Sequence, residues 1–188
     1  MKQLKMLTTL ALTAVLSLSP AACGGGGKTG KQQAQGQKPA AKKKIVMATS
    51  ADFPPYEFRD QSKGQNEIVG FDIDIAKRIA GELGYELKIQ DMKFNGLLPA
   101  LQAGRADFAM AGITPTQDRK QNTDFSMVYY ESKKGSTPAK AEEQRGTGGA
   151  AIAFPKGSQY VSDFNRVLKY MKDSGDMEQL AKKWFEKK

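Results

Sequence analysis

The chain has 188 residues, a formal charge of +9 and no histidine, and Cys23 is its one cysteine. Lacking histidine, it has no usual general base, no Ser-His or Cys-His nucleophile system and not the commonest zinc ligand; one cysteine allows neither an internal disulfide nor a cysteine-based metal site. The charge points to nucleic acid or anionic lipid only until it is located: Lys2, Lys5, Lys28, Lys31, Lys38, Lys42, Lys43 and Lys44 all precede Ile45, no acidic residue lies among them, and +1 remains for residues 45–188.

Residues 1–22 read as a secretion signal. Lys2 and Lys5 precede an apolar run over residues 7–18, and Ala21-Ala22-Cys23 supplies small residues before a cysteine. Lipidation of Cys23 is the expected outcome. Pro20 departs from the Leu that lipoboxes usually carry, and the alternatives are an uncleaved anchor, for which the run is short, and cleavage by the ordinary signal peptidase. Residues 23–44 are rich in Gly, Gln, Lys and Ala and suit a disordered cationic tether beside an anionic membrane surface. The folded remainder is nearly neutral, so no nucleic-acid partner is expected.

Residues 45–49 (IVMAT) predict a first buried strand, and residues 50–58 (SADFPPYEF) the loop at its carboxyl end. Tyr56 and Phe58 are expected in the core; Phe53 is open to core packing or to projection into a site. Residues 60–67 read as a solvated turn. Residues 70–84 (GFDIDIAKRIAGELG) carry Ile75, Ala76, Ile79, Ala80 and Leu83 at helical spacing, with Gly84 as the stop. Asp72 is expected to cap this helix, and capping and the helix dipole account for Asp72 and Asp74 better than a metal or an acid-base pair does.

Residues 85–90 alternate as a second strand, residues 91–96 form a loop bearing Phe94, and residues 97–103 form a short helix closed by Gly104. Residues 108–113 suit a third buried strand, followed by Thr114-Pro115 and by Thr116 as cap of a turn through Arg119. Strand, helix, strand, helix, strand implies right-handed crossovers and a parallel sheet, whose ligands bind beyond the carboxyl ends of the strands. Residues 50–53, Phe94 and residues 114–119 all leave those ends.

Residues 132–149 (SKKGSTPAKAEEQRGTGG) have no apolar period and read as a mobile connector. Residues 150–154 suit a short returning strand. Residues 161–174 and 177–185 suit amphipathic helices, with Val161, Phe164, Leu168 and Met171 inward in one and Leu180, Trp184 and Phe185 in the other.

GFDIDIAKRIAGELG, FNGLLPALQAGRADFAMAGITPTQDR, FSMVYY and MEQLAKKWF together resemble the bacterial extracellular solute-binding proteins of the polar amino-acid ABC importers. The signal and SADFPPYEF are most similar to the Gram-positive arginine, lysine and histidine binders. The resemblance implies an α/β fold of the periplasmic-binding-protein-like type II. Here one lobe is expected, with a parallel-type sheet flanked by helices and built from residues 45–131 plus 150–188, while connector 132–149 stands in place of the second lobe. Carried over by position, Arg119 would pair with the ligand α-carboxylate, helped by Thr114. The Gly112 carbonyl and Thr114 hydroxyl would take part of the α-ammonium, Phe53 and Phe94 would sandwich the side chain, and Ser50 would line the distal end. Asp52 either joins Ser50 there or caps its own loop.

The resemblance also implies second-lobe groups that no residue here matches. If these supplied roughly 4 kcal/mol, affinity would fall by about a thousandfold. The expected function is binding of a polar, basic amino acid as the solute-binding component of an importer, without cofactor or metal. Closure onto the importer's membrane subunits is in doubt without a second lobe. Enzymes of the same fold use acidic or histidine side chains, and no such constellation stands out, so no enzymatic activity is expected. The alternative is a scaffold that self-associates through the open cleft face.

Overall fold

The computed structural model describes residues 42–62, 64, 66–131, 145–146 and 148–186. The signal, Cys23 and most of the tether and connector therefore lie outside the described residues. No described helix is long and apolar enough to cross a membrane.

Strand β1 (Lys44–Thr49) is the centre of the parallel part of a five-stranded sheet. It pairs in parallel with β5 (Glu86–Asp91) on one side and β6 (Phe108–Ala109) on the other. Helix α1 (Phe71–Glu82) makes the crossover to β5, and α2 (Leu97–Gln102), entered through a 3-10 turn at Phe94–Gly96, makes the crossover to β6. A small antiparallel sheet of β2 (Asp52–Phe53), β3 (Glu57–Asp60) and β4 (Glu67–Val69) lies between β1 and α1 in sequence, and the turn over residues 60–67 joins its last two strands.

The sheet is mixed where the sequence pattern suggested a parallel one. After α3 (Gln117–Asn122) and β7 (Thr123–Phe125), the chain returns as β10 (Ala153–Pro155), which inserts between β6 and β7 and runs antiparallel to both. Just before it, β8 (Tyr130–Glu131) pairs antiparallel with β9 (Gly149–Ala150), which brings residues 130–131 and 149–150 side by side. The expected third strand over residues 108–113 is shorter than its apolar run. The Met110 amide still donates to the Ala48 carbonyl at 3.1 Å, but residues 111–113 leave the ladder, with Gly112 at φ 56, although Met110, Ala111 and Ile113 stay buried.

The period-two alternation of the strands sorts the core into two faces. Met47 sits beside Phe108 in the register, and on that face Ile45, Met47, Phe108 and Phe154 pack against α1 and the C-terminal helices. On the other face Ala48, Ala109 and Ala153 form a row of small side chains across three strands, and Leu97 and Leu101 of α2 pack there. The small residues allow α2 to approach the sheet closely at normal packing density.

Helices α4 (Tyr160–Asp173) and α5 (Asp176–Phe185) complete the first face. Phe164, Leu168 and Met171 are buried as their spacing predicts, and Val167 joins them. The last helix is held to α1 by ion pairs Arg78–Asp176 and Lys183–Asp74, and by the Trp184 indole N–H donating to Asp74 at 2.8 Å. Phe185 packs edge-on to Tyr56 and Phe71 and stacks on Tyr130. Tyr56 is buried and Phe58 half-buried against Trp184, in keeping with the core role expected of both.

One local expectation is corrected. Asp72 does not cap α1: the N-cap is Gly70, with no side-chain bond, and Asp72 lies inside the helix, fully buried. Gly70 has φ 139, and a Cβ there would stand 2.2 Å from the Tyr56 carbonyl oxygen, so the helix start presses against backbone that only glycine clears. The Asp72 carboxylate is thereby turned toward the sheet.

Candidate functional site

The loops leaving the carboxyl ends of β1, β5 and β6 meet above the sheet, where ligands of open α/β sheets bind. Short hydrogen bonds lock them together. Thr49 Oγ1 donates to the Met110 carbonyl at 2.7 Å, the Met92 amide donates to the Thr49 carbonyl at 2.9 Å, and the Ala51 amide donates to Asp91 at 2.9 Å. Arg59 holds the same Asp91 from the other side at 2.6 Å. The backbone around Phe53, Phe94 and residues 110–116 is therefore set by contacts behind the site.

Into this place comes a residue that the sequence did not single out, Arg145 from the segment before β9. Its side chain is almost wholly buried, and its guanidinium faces the ring of Phe53 at 3.9 Å and that of Phe94 at 4.8 Å. Arg145 Nε donates to the Ala111 carbonyl at 3.1 Å and Nη2 to Asp52 Oδ1 at 2.9 Å, and Nη2 lies 3.5 Å from Glu57 Oε1. Its main-chain carbonyl accepts from the Thr114 amide at 3.0 Å and from Arg119 Nη1. A guanidinium is thus held at one end of the site and a carbonyl oxygen at the other.

Of the residues singled out by sequence, Asp52, Phe53, Phe94, Thr114 and Arg119 all touch this one arginine. Ser50 stands behind them, its hydroxyl donating to Asp52 Oδ1 at 3.2 Å, so Asp52 is oriented toward the guanidinium. Gly112 contributes its amide to Asp72 Oδ2 at 2.9 Å. Thr116 caps α3 as expected, its hydroxyl accepting from the Arg119 amide at 3.4 Å. Arg119 reaches back over this turn to the Thr114 carbonyl at 3.0 Å and lies 5.5 Å from the Phe94 ring. Burial lowers the pKa of Arg119 from its ordinary value.

Below the guanidinium lies an acidic pair, Glu57 and Asp72, both fully buried. Asp72 accepts from the Gly112 amide and, at 2.8 Å, from the Tyr129 hydroxyl. Desolvation raises its pKa to about 6 against those stabilising bonds. Neither oxygen of Glu57 has a hydrogen-bond donor among the described residues when the group is ionised. Burial and the neighbouring Asp72 raise its pKa well above the ordinary carboxyl value, and Arg145 works in the opposite direction. Protonated, Glu57 becomes a donor to Asp72. The floor of the site therefore holds latent negative charge that a cation above it draws out.

A family model for the bacterial extracellular solute-binding proteins, family 3, matches residues 45–187, nearly the whole described chain. The chain belongs to this family. Among its relatives, the arginine-binding extracellular protein ArtP of Bacillus subtilis (strain 168) is 31% identical, over 78% of this chain and 88% of ArtP. The ABC transporter glutamine-binding protein GlnH of the same organism is 40% identical, over 84% of this chain but only 61% of GlnH. The arginine-bound form of domain 1 from TmArgBP, a solved structure, matches with TM-score 0.56 and 39% identity, covering 67% of this chain and 91% of that one. This solute-binding protein shares the type II fold of the amino-acid binders.

Glu57, Tyr129 and Arg145 are the members of the site that sequence reasoning missed. Glu57 had a signal: it is the one glutamate in a loop of aromatics and prolines. Tyr129 looked like ordinary core, and its hydroxyl partner is 57 residues away. Arg145 sat in a polar segment with no periodicity, and its ion-pair partner Asp52 is 93 residues away.

Proposed function

We propose that this solute-binding protein takes a cationic L-amino acid, arginine foremost, as the extracellular binding component of an ABC importer. The observation that carries the reading is the pair of subsites filled by Arg145: a guanidinium place made by Phe53, Phe94, Asp52 and Glu57, and an oxygen place made by the Thr114 amide and Arg119. In free arginine the oxygen place would take the α-carboxylate, which gains more than a neutral carbonyl does from a guanidinium. The Gly112 carbonyl and Thr114 hydroxyl are assigned to the α-ammonium, and Ser50 to orienting Asp52. Family membership and the likeness to arginine-binding ArtP and to the arginine-bound TmArgBP domain support the choice of arginine.

Residues 45–131 and 150–186 are assigned to one lobe of the family's fold. The side-by-side pairing of Tyr130 with Ala150 supports this, because a second lobe could be inserted or lost there without disturbing the first. ArtP aligns over 231 positions, more than this chain possesses, so the match contains gaps. Cys23 is assigned as the lipid-bearing residue of a tethered extracellular lipoprotein, on the strength of the preceding signal pattern.

Isothermal calorimetry with arginine, lysine, histidine, glutamine and glutamate tests the reading. Saturable heat with the cationic ligands and none with glutamate is the expected result. No heat with any of them at millimolar ligand, in the wild type and in Arg145→Ala alike, would overturn it.

A further inference from the structure

Resting on that reading of the site, we infer that Arg145 is a tethered internal ligand: the protein occupies its own amino-acid site with an arginyl residue, and a free amino acid binds only by displacing it. The docked residue uses both subsites at once. Its side chain meets two aromatic rings and two carboxylates, and its carbonyl takes the two donors at the opposite end. A surface arginine folding over an empty cleft would satisfy the first set and leave Thr114 and Arg119 unengaged.

The neighbouring residue is adapted to the same fit. Gly146 has φ 95, and a Cβ on it would stand 2.8 Å from Thr114 Cβ, so the chain passes the carboxylate end of the site at a distance and in a conformation that favour glycine. Arg145 also forms an ion pair at 3.5 Å with Glu57, whose carboxylate oxygens have no hydrogen-bond donor among the described residues. Undocking therefore exposes a buried carboxyl at the floor of the site, and an incoming guanidinium restores its partner.

Tethering makes this competition effective. Because Arg145 belongs to the same chain, its docking is intramolecular, and at an effective concentration on the order of millimolar an arginyl residue of about 100 µM intrinsic affinity keeps the site about nine-tenths occupied. Apparent affinity for free ligand then falls by the fraction of sites left open, about tenfold. The protein's own chain thus moves half-saturation to about tenfold higher free arginine, with a binding curve of unchanged shape.

The test compares the wild type with Arg145→Ala and Gly146→Ala by arginine calorimetry and thermal unfolding. Both variants are expected to bind arginine about tenfold or more tightly than the wild type. Both should also show a larger rise in Tm with added arginine. The blocked peptide acetyl-Gln-Arg-Gly-Thr-amide should compete with arginine on Arg145→Ala. Gly146→Ala keeps the guanidinium and misfits only the backbone, so it answers the question even if Arg145→Ala folds poorly. Equal arginine Kd in all three proteins would overturn the inference and leave the proposed function standing. Absence of arginine binding in all three would overturn both.

Discussion

Arg119→Ala, made in the Arg145→Ala background so that the site is open, isolates the carboxylate end. Arg119 is half-buried, donates through Nη1 to the Thr114 carbonyl at 3.0 Å, and points the same nitrogen at the oxygen of the docked residue. After its removal the Thr114 carbonyl still accepts from the Thr116 amide at 2.9 Å, so the fold should survive. On the assignment proposed for this residue, what is lost is contact with a ligand carboxylate. Charge-assisted hydrogen bonds contribute about 1.5–3 kcal/mol each, and the half-buried position of Arg119 keeps them near the low end. Two such bonds come to about 3 kcal/mol, or roughly a hundredfold in Kd for free arginine. Arg119→Lys, a point charge without the fork, should fall between. Calorimetry reads the effect directly, with circular dichroism confirming the fold. An Arg119→Ala variant that keeps its arginine affinity within about threefold would refute the assignment of this residue.

Phe94→Leu keeps apolar volume but removes the π face 4.8 Å from the guanidinium, and arginine affinity should fall about fivefold, with a smaller effect on a neutral amino acid, by calorimetry. Gly70→Ala forces a Cβ against the Tyr56 carbonyl at a φ that side chains avoid; urea unfolding should show a loss of about 3 kcal/mol or more. The acidic pair predicts a pH dependence. Asp72 has a folded pKa of about 6, raised from 3.8, so its contribution to stability is full below the lower value and lost as pH rises through the upper one. Glu57 is raised as well, so it too loses its contribution as pH rises through its folded value, and Glu57→Gln should flatten the fall in urea midpoint with rising pH. An unchanged profile would contradict the coupling of the two groups.

What was readable in the sequence follows from the range of the interaction that decides each feature. Helix α1 and the C-terminal helices are set by apolar residues three and four apart, and each formed within two residues of its expected bounds. The Thr116 cap is equally local. Strand direction is not: the alternation around Ala153 is the same whichever way the strand runs, and only its insertion between β6 and β7 makes the sheet mixed. Asp72 illustrates a local rule overridden by packing. An acid at a helix start usually caps, but close contact between Gly70 and Tyr56 moves the cap back and buries the carboxylate under Gly112 and Tyr129. Phe53, Phe94, Thr114 and Arg119 could be placed because each sits just beyond a strand end. Arg145 could not, because nothing around it in sequence distinguishes an arginine in a connector from one in a binding site.

Titration of L-arginine into Arg145→Ala asks whether the place made by Phe53, Phe94, Thr114 and Arg119 binds arginine once the Arg145 side chain is removed. A saturable one-to-one heat is expected, tighter than in the wild type and weakened about tenfold by the blocked Arg145 peptide at millimolar concentration. Absence of saturable heat at millimolar arginine, in a variant that circular dichroism shows to be folded, would contradict it.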